Sequence, residues 1–447
     1  MLLALDFDVG AWDPVVRVVP FIAGVVLFIA NTLSLVRTMV IPRAIPSLLA
    51  AMVTRLVNRA YGLIARWHRN FPRRDRILSW NGPIAVFANL TAWLLIYVLA
   101  YGLMIFGISD YSFGVSLQSA GSALFTLGLF GSPTVDQSYV EFMAAATGPV
   151  VIALLIGFLP TLYSAWMTRE NATSLLGTMA GEPAWGPELL ARVSLLKTQD
   201  RLAEIFDSWT RWAADVRLAQ TLYPPLSRMR SAIAERHWLI SLLAVVDAAA
   251  LSNALNSKGP RARALALIEE GSLTMNALLA VELSQRTART LRLTARHAMR
   301  LRHRSSDHDP FLAHLDEIPA DTPGISAVRK AITTDTLRTG IGTAGGEILG
   351  RESHQIRITR AEFDTAVAML REAGTTIDTD PDEAWEYFAA TRQRYEYAAY
   401  QLASIYSAVR APWSGDRVPT TDVIWPTSAV SQDEVSHDPE DPSGTTA

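Results

Sequence analysis

Hydrophobic and polar positions alternate on two different scales along this chain. Near the front, three long stretches are almost free of charge: about 18–36, 83–108 and 139–167. Each is close to or above the ~20 residues a helix needs to cross ~30 Å of hydrocarbon. From Arg169 to Pro412 the apolar positions recur at helical spacing in an Ala/Leu/Arg-rich background with few β-branched runs. That pattern predicts helices over 187–197, 200–220, 226–236, 238–255, 261–304, 325–338, 360–374 and 381–409. The last opens on Pro381 with Asp382 and Glu383 behind it, the order expected at a helix N-terminus. No period of 20–50 residues repeats.

Between the first two apolar stretches, residues 45–69 read as an amphipathic helix. Leu48, Leu49, Met52 and Leu56 fall at helical spacing, and Arg55, Arg59 and Arg66 share another face. Two readings stay open: a helix lying in the membrane interface with its arginines on anionic headgroups, or a solvated helix packed on a cytoplasmic domain.

Arginine placement sets the expected orientation. Residues 42–80 hold eight arginines (Arg43, Arg55, Arg59, Arg66, Arg69, Arg73, Arg74 and Arg76) against a single acid, Asp75, and residues 77–168 hold no Lys or Arg. The positive-inside rule then puts the Arg loop and the C-terminal region in the cytoplasm and the N-terminus outside, with three crossings of the plasma membrane. The acidic start (Asp6, Asp8, Asp13) argues against a cleavable signal peptide. The apolar run 238–255 carries Asp247 at its centre and is followed by a strongly basic segment, so it is read as a buried core helix.

Composition supports a mixed design. The 447 residues are 50% hydrophobic and 19% charged, short of the ~25% charged that soluble domains average. A mean hydropathy of +0.18 is too low for a chain embedded throughout. With no cysteine, disulfide frameworks, thiol catalysis and Cys-based zinc sites are excluded. The net charge of −3 gives no whole-chain case for nucleic acid. The organisation expected is an N-terminal segment with the first crossing (1–41), a basic linker (42–82), a membrane domain (83–168), a helical cytoplasmic domain (169–410) and an acidic, disordered tail (411–447).

The segment between the second and third crossings carries the functional signal. Ser112 to Phe125 (SFGVSLQSAGSALF) is apolar, rich in small residues and too short to span. It is followed by Thr126-Leu127-Gly128-Leu129-Phe130-Gly131. A half-helix dipping into a membrane turns its carbonyl end toward the bilayer centre. Glycines behind it let backbone carbonyls replace an ion's hydration shell. Residues 83–167 resemble the two-transmembrane pore-loop channels of the potassium-channel type, whose filter reads Thr-Val-Gly-Tyr-Gly. Thr126, Gly128 and Gly131 lie on that pattern, with one extra residue between the glycines, Phe130 in place of Tyr and Ser132 in place of Asp. The stretches AWGPELLARV, EIFDSWTRWAADV, YPPL and RHWLISLLAVVDAAAL also resemble a group of bacterial membrane proteins with an ion-channel segment ahead of a helical cytoplasmic domain.

The resemblance implies an all-α integral membrane pore-loop bundle: three transmembrane helices plus a re-entrant pore helix, with a helical cytoplasmic domain. It implies a homotetramer that conducts monovalent cations, potassium among them, through a selectivity filter at Thr126–Gly131. The departures from the pattern leave potassium selectivity open. They also keep alive a second class, a non-conducting membrane-anchored interaction or sensor protein that retains the scaffold. Asp136 and Glu141, with Asp110, are the outer-side acids, expected as charged rings at the pore mouth or as plain solvated carboxylates. Gly148, Gly157 and Pro160 suggest a bendable inner helix, or the ordinary Gly and Pro of membrane helices.

The remaining motifs carry less. Gly340–Gly345 matches G-x-G-x-x-G after a helical rather than a strand pattern. His297, His303, His308 and His314, with Asp307, Asp309 and Asp316, read as a polar loop, with a transition-metal site as the alternative. The Arg286–Arg304 run reads as a solvated helix face. No catalytic motif is present, so no enzyme activity, cofactor or nucleic-acid partner is expected.

Overall fold

The computed structural model describes residues 14–40, 47–68, 70–129, 134–286 and 357–414. All regular structure among them is helical. Six helical segments are long and apolar enough to cross a membrane by length and composition, as a multi-pass membrane protein requires: Arg17–Met39, Leu48–Ala65, Phe71–Ile108, Val135–Ala180, Trp238–Leu255 and Arg261–Glu282. Their surroundings differ sharply. Trp238–Leu255 is 100% buried within the protein, whereas the apolar windows of Arg17–Met39 and Val135–Ala180 are 22% buried.

The chain forms two compact units, the first made of Met1–Thr168 with Ala219–Arg230. It contains α1 (Pro14–Met39), α2 (Leu48–Arg66), α3 (Phe71–Ser79), α4 (Asn81–Ile108), α5 (Phe113–Leu124) and the first part of α6 (Val135–Ala180). Helix α1 lies antiparallel along α4. Arg17 pairs with Asp110 at one end at 2.5 Å, and Asn31 donates to the Trp93 carbonyl further along at 3.0 Å. Trp93 in turn donates to Ser34 at 3.0 Å, and Phe28 packs on Tyr97 and Tyr101. On its other side α1 exposes Val18, Ile22, Ile29 and Leu33, a stripe at helical spacing suited to lipid.

Helix α6 runs for 46 residues, unbroken at Pro149 and Pro160, and so extends well past the predicted end of the third crossing at 167. The acid of the basic linker is accounted for here. Asp75 is buried and accepts from Arg230 at 2.7 Å, across 155 residues of chain. Burial pushes the Arg230 guanidinium below its ordinary pKa, and Asp75 opposes that shift.

The second unit, Arg169–Leu218 with Ser231–Ala447, is built around α9 (Trp238–Leu255), all of whose 18 residues are buried. Around it pack α7 (Gly186–Leu195), α10 (Arg261–Arg286), α12 (Pro381–Arg392) and α13 (Glu396–Tyr406). Helix α8 (Leu202–Leu222) gives its residues up to Leu218 to this unit, and α11 (Arg360–Glu372) completes it behind a Thr359/Glu362 capping box.

Two predicted helices need correction. Residues 226–236 are not helical beyond a 3-10 turn at Pro224–Arg228. Arg236, at the end of this stretch, reaches out to Glu182 and Ser174 at 2.6 and 2.8 Å. The predicted helix over 381–409 is two helices, interrupted at Gln393–Tyr395 and followed by a left-handed Ser407. At the interruption Arg392 and Tyr395 both reach Asp247 of α9. The predicted helix at 325–338, the part of the one at 261–304 beyond Arg286, and the tail beyond Ser414 lie outside the described residues.

Candidate functional site

The site of interest is the end of α5 and the backbone that follows it. Helix α5 has 12 residues, about 18 Å of rise, too little to cross a bilayer. Its Ser116, Ser119 and Ser122 recur at helical spacing and are all buried, so a stripe of small polar side chains faces protein. At its C-terminus the Leu127 N–H donates to the Ser122 carbonyl at 2.8 Å and the Thr126 N–H to the Ala123 carbonyl at 3.0 Å. These two bonds form a Schellman stop, which needs a left-handed residue at Thr126, and Thr126 has φ +54°. Glycine usually fills that position, and a β-branched residue there is costly.

Beyond the stop, Gly128 is again left-handed at φ +66°, while Leu127 and Leu129 are not. In an extended strand successive carbonyls point to opposite sides; a left-handed residue at every second position disrupts that alternation. Among the described residues, nothing donates to the carbonyls of Thr126, Leu127, Gly128 or Leu129. The Ser122 hydroxyl accepts from the Leu129 N–H at 2.9 Å, so one buried serine holds the loop by its backbone and its side chain. Leu127 and Leu129 point outward, 60% and 71% exposed. Phe130 and Gly131, the other two residues of the expected filter, lie outside the described residues.

The three acids expected on the outer side have different surroundings. Asp110 is tied to Arg17. The Glu141 Oε1 accepts from the Ser119 hydroxyl at 2.6 Å and from the buried Gln137 amide at 2.9 Å, so this carboxylate braces α6 against α5. Asp136 stands exposed in the first turn of α6, where the helix dipole favours a negative charge. The expected hinge residues also separate. Gly148 is buried with its Cα against the end of α5, and a methyl group there would overlap the Leu124 carbonyl oxygen. Gly157 has open space around it and Pro160 is exposed.

Sequence reasoning did not single out Ser119, Ser122, Gln137 or the seat at Gly148. The serine period in α5 was the available signal. Among the described residues, buried ionisable groups also gather in the second unit. Buried Arg392 pairs with Asp247 and with Glu396 (3.0 Å), and it donates to the Trp413 carbonyl at 2.5 Å and the Tyr400 hydroxyl at 3.2 Å. Burial alone would lower its pKa, but Asp247, the two tyrosines and Glu396 hold it well above the ordinary value. Burial pushes the Tyr400 phenol up to about 12. A cavity of about 220 Å³ in the same unit is lined by Ser194, Gln199, Asp200, Asn256, Lys258 and Thr375 among others. No group of three His, Asp or Glu suited to a metal occurs among the described residues. The histidine cluster and Gly340–Gly345 lie outside them.

Set against known families, curated proteins and solved structures, the chain matches none.

Proposed function

We propose that this protein is a multi-pass plasma-membrane channel for monovalent cations, potassium among them. In this reading α4, α5, the following loop and α6 form one subunit's share of a pore. The observation that carries the reading is the backbone after α5: left-handed residues at Thr126 and Gly128, with four successive carbonyls that no group among the described residues engages, at the end of a helix too short to span. Irregular backbone of this kind is stable at membrane depth only where it is buried or lines water. Free carbonyls in such a place are ligands for a cation that sheds its hydration shell.

One loop supplies only part of that shell, so several chains must surround the ion, and a homotetramer closes the ring. The exposed Leu127, Leu129, Phe142 and Val150 then meet lipid or neighbouring copies. Asp136 faces the outer mouth, where it concentrates cations over about one Debye length, ~8 Å at physiological salt. Glu141 acts one step behind, holding α5 through Ser119. The eight arginines of residues 42–80 set the orientation, with the C-terminal unit in the cytoplasm.

One observation favours the non-conducting reading: the Schellman stop by itself accounts for the left-handed Thr126. Purified protein reconstituted in vesicles decides between the two. Flux of potassium or sodium from a particle of several chains supports the channel. A monomer in mild detergent, or tight vesicles at every voltage and pH tried, overturns it.

A further inference from the structure

Helix α2 is inside out for a water-soluble helix. Its inward side carries small and polar groups: Ser47 at the N-cap bonds the Ser34 hydroxyl of α1 at 2.8 Å, Ala50 and Ala65 are buried, and the Thr54 hydroxyl accepts from Asn89 of α4 at 3.1 Å. Its outward side carries the large apolar side chains. Leu48, Met52, Leu56 and Leu63 are 87%, 67%, 69% and 60% exposed. At 100° per residue these four fall on one arc; the exposed Arg55 lies just outside it and the exposed Arg59 lies within it, where a long side chain can still carry its charge out to the headgroups. Helix α2 has no acidic residue, and neither arginine meets a carboxylate among the described residues.

Depth along the bundle fits this chemistry. Ser34, which Ser47 contacts, lies three residues from Arg37, the first charge after the apolar run of α1. The N-terminus of α2 therefore starts where α1 leaves the hydrocarbon. Were α2 itself to span, Arg55 and Arg59 would sit near the bilayer centre, where arginine is costly. Its mean hydropathy of 1.2 is the lowest of the six candidate spans.

We infer that α2 lies in the cytoplasmic membrane interface, with its leucines and Met52 among the acyl chains and Arg55 and Arg59 on anionic lipid headgroups. This inference does not depend on conduction. Charge complementarity selects the occupant: two guanidinium groups with no carboxylate partner among the described residues, on an apolar face, match an anionic lipid surface.

The test uses the full chain, which has no native cysteine, with Met52→Cys carrying an environment-sensitive fluorophore. The chain is reconstituted in vesicles of phosphatidylcholine and phosphatidylglycerol, and either lipid is supplied with brominated acyl chains at equal mole fraction. Quenching by both lipids is expected, with phosphatidylglycerol favoured about fivefold or more, since each interfacial arginine contributes ~1 kcal/mol toward anionic lipid. The Arg55→Gln/Arg59→Gln chain should bring that ratio close to 1 while lipid quenching persists. Raising KCl to about 1 M on the arginine-bearing chain should do the same by screening, which covers a variant that fails to fold. Quenching by aqueous iodide instead of lipid would put the face in water. Quenching by neither would mean another protein surface covers it. Either result, or a lipid preference indifferent to both salt and the arginines, overturns the inference.

Discussion

Replacing Gly148 by alanine places a methyl group on the Leu124 carbonyl oxygen and 3.0 Å from its carbonyl carbon. Real Cβ atoms essentially never approach other atoms closer than 3.0 Å, so α5 must back away from α6 by roughly an ångström in a close-packed interior. Overpacking of this kind costs about 1–3 kcal/mol. Leu124 is the last residue of α5, directly ahead of the Thr126–Leu129 backbone, so the displacement is delivered to the proposed ion ligands. If that strain falls on the conducting geometry, 1–3 kcal/mol corresponds to a factor of about 5–150 in rate.

The control is Gly157→Ala. It adds a methyl group into open space on the same helix, and alanine favours helix over glycine by about 1 kcal/mol. Two assays read the pair: thermal unfolding of the purified oligomer and cation flux in vesicles. Gly148→Ala should melt a few degrees lower and conduct far less, with Gly157→Ala matching the parent in flux and melting no lower. A bending-hinge role would make both substitutions change flux together. Parent-like melting and flux in Gly148→Ala, or an equal loss in Gly157→Ala, refutes the packing argument.

Further outcomes follow from other parts of the molecule. Gly128→Val forces a β-branched residue to φ +66°, at a cost of about 1–2 kcal/mol, and should sharply reduce flux while assembly measured by size persists. Arg392→Met leaves Asp247 and Glu396 buried without their cation and should destabilise the second unit by about 3–5 kcal/mol in denaturant unfolding; a loss under 1 kcal/mol would mean the pair is not buried as described. The Tyr400 phenol, raised to about 12 from an ordinary 10.0, keeps its proton in the folded chain at a pH where the unfolded chain gives it up. Its contribution is complete below pH 10 and is lost as pH rises toward 12, by about 3 kcal/mol at most, so Tyr400→Phe should flatten the fall in stability over that range. Single cysteines at Ser132 and Ser257 should label from outside and inside respectively, and outside labelling at Ser257 would overturn the three-crossing orientation.

The membrane helices were legible because lipid demands long uncharged runs, and a run is a local property. Residues 18–36 and 83–108 needed no partner to be recognised, and the bounds of Trp238–Leu255 agree with the sequence pattern residue for residue. The short α5 was legible for the same reason: fourteen uncharged residues, mostly apolar or small, bounded by a Thr/Gly turn. What the chain does with these pieces depended on contacts between distant positions. Nothing local to Gly148 says that it seats a carbonyl 24 residues earlier, and a helical glycine beside a proline reads as a hinge. Glu141 looks like a mouth charge until Ser119 and Gln137 are found on its carboxylate. The break at Gln393–Tyr395 has no glycine or proline to announce it, and the two residues that flank and close it, Arg392 and Tyr395, both contact Asp247, nearly 150 residues away. The polarity of α2 shows the same division. Its hydrophobic period is written in the sequence, but which side faces protein is seen only in the contacts of Ser34 with Ser47 and of Asn89 with Thr54, which hold the polar side inward and leave Leu48, Leu56 and Leu63 outside.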